Sequence, residues 1–130
     1  MSQTILVVDD LASVRLYHMS FLTRKGYHCI GTGDGAAALA KLREAPVDLI
    51  LLDMMMPGMD GDAFLVQLAR IPSLATLPII LITSEEALAQ RLSSNPTRPM
   101  SVLSKPVLPD TLLQRVQQLL PRCAAVPSSV

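Results

Sequence analysis

The chain has 130 residues, half of them apolar and 17% charged, with eleven Lys and Arg balanced by eleven Asp and Glu. This is the length of one domain with a real core, and the composition is too apolar for a disordered chain. Zero net charge and scarce aromatics give no electrostatic or stacking case for nucleic acid or an anionic membrane surface, and no apolar run is long enough to span a bilayer.

The N-terminal MSQTILVVDD lacks a basic region and meets two acids early, which is not the form of a secretory signal. Cys29 and Cys123 show no CxxC or metal-ligand spacing and read as reduced thiols, as in a cytoplasmic protein.

Five strand-like runs alternate with helix-like segments. Thr4 to Val8 is the first run and ends in Asp9 and Asp10. Val14, Tyr17, Phe21 and Leu22 then follow at helical spacing, with Arg15, His18 and Arg24 on other faces, until Gly26 closes the helix. Tyr27 to Gly31 is a weaker strand. Asp34 is placed to cap a helix from Gly35 to Ala45, which Pro46 stops.

The third run, Leu49 to Leu52, carries the chain to Asp53, after which Pro57-Gly58 turns it away. A continuous apolar run of this kind belongs to a strand buried on both faces, as in parallel sheets. Asp62 is placed to cap a helix bearing Phe64, Leu65 and Leu68 that ends near Pro72. Leu77 to Ile82 is the fourth strand, ending in Thr83-Ser84, and Glu85 to Ser94 reads as a short helix closed before Pro96. Ser101 to Ser104 is a brief fifth strand leading to Lys105-Pro106. Pro109-Asp110 opens a last helix with Leu112, Leu113, Val116, Leu119 and Leu120 on one side. Residues 1–122 form the domain, and residues 123–130 read as a flexible tail.

This alternation predicts right-handed βαβ units and an α/β fold: a flavodoxin-like, doubly wound, five-stranded parallel sheet of order 2-1-3-4-5 with five helices. Ligands of such sheets bind beyond the carboxyl ends of the strands, where the order reverses, here between the first and third strands. Asp9, Asp10 and Asp53 should therefore converge, with Thr83 and Lys105 at the neighbouring strand ends. Crowded carboxylates repel; at ~4–5 Å and an effective dielectric near 20 each ionised pair costs roughly 3–4 kcal/mol. A hard divalent cation relieves that, and Mg²⁺ suits one or two carboxylates with waters and a phosphoryl group. A nucleophile (Asp53), a metal clamp (Asp9 and Asp10), a cation (Lys105) and a hydroxyl donor (Thr83) are the parts for phosphoryl transfer onto a carboxylate.

With these residues in order, the sequence resembles a response-regulator receiver domain of two-component signalling, over nearly the whole chain through Leu120. The matching features are Asp9-Asp10, Asp53 with Pro57-Gly58 and Asp60-Gly61, Pro78 through Thr83-Ser84, and Lys105-Pro106. The resemblance implies that Asp53 accepts a phosphoryl group from the phosphohistidine of a sensor histidine kinase or a histidine phosphotransfer protein. It implies Mg²⁺ held by Asp10, Asp53 and the Met55 carbonyl, with Asp9 acting through water. Lys105 would pair with Asp53 and then with the phosphate, Thr83 would swing toward the phosphoryl oxygens as the switch, and the Lys105-Pro106 bond would be cis. Met55 and Glu85 stand where family side chains border the path of attacking water. The result would be a self-phosphorylating and self-dephosphorylating switch, not a turnover enzyme, with a separate output partner and no direct contact with nucleic acid or membrane.

Two departures from the family pattern concern output. Val102 stands where an aromatic residue is usual, and Thr97 to Met100 replaces a usual Gly-Ala pair. A degenerate receiver that only binds partners is one competing reading, against which the retained site residues speak. An aspartyl-nucleophile phosphohydrolase is another; it would want a second acid soon after Asp53, where Met54 and Met55 stand. A flavin protein of the same topology would want a phosphate-cradling loop where Asp9-Asp10-Leu11 is. The methionines at 54, 55, 56 and 59 read as gap-filling and soft surface rather than as a metal site. His18 and His28 read as surface or hydrogen-bonded positions, with His18 on a helix that could border a kinase-docking face.

Overall fold

A computed structural model describes residues 3–54, 61–85 and 100–120. Its elements are β1 (Thr4–Val8), α1 (Ala12–Arg24), β2 (His28–Thr32), α2 (Gly35–Glu44), β3 (Leu49–Asp53) and α3 (Gly61–Ala69). A single 3₁₀ turn (Pro72–Leu74) follows, then β4 (Ile79–Thr83), β5 (Met100–Ser104) and α4 (Pro109–Leu119). The five strands are parallel throughout and ordered β2-β1-β3-β4-β5. The predicted helix from Glu85 to Ser94 lies outside the described residues apart from Glu85, as do the Met55 to Asp60 loop and the 123–130 tail.

Strand alternation divides the core into two layers, one on each sheet face. Leu6, Val8, Ile50, Leu52, Ile79 and Leu81 meet Ala38 and Leu42 of α2 and Phe64 and Leu68 of α3. Ile5, Val7, Leu49, Leu51, Ile80 and Ile82 meet Leu22 of α1 and Leu112 and Val116 of α4. Every residue of β3 and of β4 is buried, so the third apolar run is a two-faced central strand, as its composition implied. Met54 is buried in the first layer, in keeping with a gap-filling role.

Local signals act as the side chains dictate. The Asp34 carboxylate accepts a 2.7 Å bond from the Ala37 amide and caps α2. Gly26, with φ at +103°, turns the chain out of α1 in a conformation that a side chain would strain. Asp62 falls inside α3 rather than ahead of it, since the helix starts at Gly61.

One facing was misassigned by the helical spacing. In α1 the buried residues are His18 and Leu22, whereas Tyr17 is 51% exposed. Apolar residues surround this helix on several sides, so spacing alone selects no stripe. The fold buries His18 and Leu22, four apart, leaves Val14 half-buried, and turns Tyr17 and Leu16 outward. His28, by contrast, is exposed on β2.

Candidate metal and phosphoacceptor site

The carboxyl ends of β1 and β3 are neighbours because Val8 pairs with Leu52 in the ladder. The next residue of each strand is an acid. Asp9 and Asp53 are both 3% exposed, while Asp10 is exposed. One carboxylate oxygen from each of Asp9, Asp10 and Asp53 can be chosen so that all three lie within 4.8 Å of one another.

The Lys105 ammonium reaches this group from the far strand. The Lys105 amide donates a 3.0 Å bond to the Thr83 carbonyl, which extends the β4–β5 ladder by one step. The Lys105 Nζ lies 3.1 Å from Oδ1 and 3.2 Å from Oδ2 of Asp53, straddling the carboxylate. The Lys105-Pro106 peptide bond is cis, as expected. Asp53 pairs with Ile82, and Thr83 stands one residue beyond at the same edge, fully buried. The Thr83 Oγ1 accepts a 3.1 Å bond from the Glu85 amide.

Burial raises the Asp9 carboxyl above its usual range, with further upward pressure from the charges of Asp53 and Asp10. A 3.0 Å bond from the Leu11 amide to Oδ1, and the Lys105 charge, pull the other way. Two buried acids and an exposed third beside the Lys105 ammonium leave excess negative charge, and oxygen ligands at this spacing suit a hard divalent cation. Asp9, Asp10, Asp53 and Lys105 are thus brought together. Met55 lies outside the described residues.

Two participants escaped the sequence reading. Arg15 was placed on an outer face, yet its Nη1 donates a 2.6 Å bond to the Asp9 carbonyl and ties α1 to the acid-bearing turn. The side chain crosses β2 where no Cβ obstructs it. A Cβ built on Gly31 would fall 2.6 Å from the Met19 Sδ and 3.1 Å from the Arg15 Cδ, and one on Gly33 would lie 3.5 Å from Nη1. The available signal was Gly31 at the end of the weak second strand, whose bearing on Arg15 does not show without the helix–strand packing. His18 is the second. Buried in α1, it borders a cavity of about 450 Å³ that also opens on Asp9, Asp53 and Lys105. Burial holds its imidazole below its usual range, against the opposing charges of Asp9 and Asp53 and with some help from Lys105.

Comparison with known proteins agrees with this arrangement. The response regulator receiver domain family matches residues 5–117. The response regulator PleD of Caulobacter vibrioides is 38% identical over 120 residues, covering 92% of this chain and 26% of PleD. The chain thus spans about a quarter of that relative's length. The response regulator receiver protein CpdR of Brucella abortus is 34% identical over 118 residues, covering 89% of this chain and 95% of CpdR. Among solved structures, the chemotaxis response regulator CheY4 of Vibrio cholerae superimposes with a TM-score of 0.81 at 30% identity, over 92% of this chain and 99% of CheY4.

Proposed function

The chain belongs to the response regulator receiver domain family, and from that premise we propose that Asp53 is its phosphoacceptor in Mg²⁺-dependent transfer from a phosphohistidine. The observation that carries this reading is the buried Asp53 carboxylate, straddled by Lys105 at 3.1 and 3.2 Å and joined by Asp9 and Asp10 within 4.8 Å. The donor would be a sensor histidine kinase or a histidine phosphotransfer protein, in the cytoplasm. No described helix is long and apolar enough to cross a membrane.

Asp53 presents one carboxylate oxygen to phosphorus while Lys105 neutralises charge on the transferring group. Asp9 and Asp10 are the residues to hold Mg²⁺ beside it. When bound, the ion supplies positive charge to the phosphoryl oxygens and relieves the repulsion among the acids. Thr83, at the next strand end, would donate its hydroxyl proton to a phosphoryl oxygen, and its oxygen accepts from the Glu85 amide. A turn of Thr83 toward the phosphoryl group would act on the chain after β4 through that bond, and the protein would work as a switch and not as a turnover enzyme. Val102 is half-buried on β5, and output through it would rest on packing rather than on ring rotation.

The test is incubation with acetyl phosphate and Mg²⁺ followed by intact mass. Wild type gains one phosphoryl group and Asp53→Asn gains none. Continuous release of phosphate over many turnovers would favour a hydrolase, and no mass gain at all would leave a binding module.

A further inference from the structure

The cavity beside the acids has a lining of two kinds. Asp9, His18, Asp53 and Lys105 give it polar lining, and the remainder of its wall is apolar or aromatic: Leu11, Val14, Tyr17, Ile82, Pro106 and Val107. Its volume of about 450 Å³ lies within the roughly 300–1,000 Å³ of small-molecule sites. Leu11 and Tyr17 are 55% and 51% exposed, so part of this wall is wetted and gains from being covered.

We propose that the cavity receives the organic part of a small-molecule phosphodonor, an acyl phosphate whose acyl group is aromatic or branched and apolar. Asp53 then draws phosphoryl groups from such mixed anhydrides in preference to acetyl phosphate. The proposal rests on Asp53 being the phosphoacceptor. Charge complementarity selects the occupant. A phosphoryl dianion belongs with Lys105 and a metal-compatible acid cluster, and the group attached to it falls against carbon. The Tyr17 and His18 rings, both on the cavity wall with centroids 5.6 Å apart and planes tilted by 57°, offer aromatic surface that a benzoyl group has a ring to match and acetyl has not.

The step is balanced without a further reactant. An Asp53 oxygen forms a bond to phosphorus, and the bond from phosphorus to the acyl oxygen breaks. The organic acid leaves as its carboxylate, and the phosphoryl group remains on Asp53 as a new mixed anhydride. No proton is transferred, and no electron leaves or enters.

The experiment compares benzoyl phosphate with acetyl phosphate on the full chain in Mg²⁺, following intact mass with time. Each rate is divided by that donor's rate of phosphoryl transfer to free imidazole, to remove intrinsic reactivity. The expected ratio favours benzoyl phosphate at least tenfold, equivalent to about 1.4 kcal/mol, and falls toward unity in Val14→Ser and in Val107→Ser. A second reading needs no transfer: benzylphosphonate should shift the backbone amide signals of Val14, Tyr17 and Val107, and methylphosphonate should not. Equal corrected rates on a protein that both donors phosphorylate would overturn the proposal while leaving the phosphoacceptor intact; the wall would then await a macromolecular surface. A preference that survives both serine variants, or unshifted amides, also overturns it. Failure of both donors to modify Asp53 would instead sink the reading on which it rests.

Discussion

Replacing Asp9 by Asn tests the claim that the acid cluster is held against its own repulsion. Both Asp9 and Asp53 are buried, with oxygens no more than 4.8 Å apart. At an effective dielectric of 20 that pair costs about 3–4 kcal/mol, and attraction of Asp9 to Lys105 offsets about half, leaving about 1–2 kcal/mol. The amide oxygen of Asn keeps the bond from the Leu11 N–H, so little else changes. In EDTA at neutral pH, Asp9→Asn should therefore melt about 3–8 °C above wild type. The sign with pH follows from the raised Asp9 pKa. A carboxyl that holds its proton more tightly when folded favours folding below its usual value of 3.8 and loses that contribution as pH rises through the raised value. The advantage of the variant should thus grow from acid to neutral pH. Mg²⁺ should reverse the order, because wild type gains about 2.7 kcal/mol at a hundredfold excess over the dissociation constant and the variant gains less. Calorimetric melts with EDTA and with Mg²⁺ decide it. A variant that melts lower in EDTA, or that responds to Mg²⁺ as wild type does, refutes the reasoning.

Arg15→Met keeps an unbranched stem over Gly31 but removes the bond to the Asp9 carbonyl. Mg²⁺ affinity, read by titration calorimetry, should fall about tenfold, the usual scale for losing an outer support of a metal site; an unchanged affinity would show that the bond has no bearing on the acids. His18 carries a pH signature of the opposite sign to Asp9. Its lowered pKa leaves its contribution to stability intact above the usual value of 6.5, and the contribution is lost as pH falls through the lowered value. Melts in EDTA between pH 7.5 and 5 should show wild type losing up to about 1.4 kcal/mol per pH unit from this one group, and His18→Leu should flatten that slope; equal slopes would contradict it.

The sheet was legible because apolar runs such as Leu49 to Leu52 admit one arrangement, a strand covered on both faces. Once the strand order was assumed, the meeting of Asp9 with Asp53 followed from equal positions at paired strand ends. The inward turn of His18 was not legible, because Val14, Leu16, Tyr17, Phe21 and Leu22 surround α1 and only the sheet decides which of them it covers. Arg15 escaped for a related reason. Its path depends on Gly31 facing Met19 and Arg15 across a helix–strand contact, a relation of tertiary structure that no local pattern carries.

The bare backbone of Gly31 on the outermost strand serves as a passage for the Arg15 side chain, whose guanidinium is bound at the turn after β1. A random mutagenesis screen would record an alanine there as damage to a remote sheet margin, and its cause would be sought in misfolding. Under the metal role proposed for the acids, the defect would instead surface as weakened Mg²⁺ binding, with Arg15 displaced from the turn after β1. Genetic lesions at this margin should accordingly be sorted with those at the acids and not with those in the core.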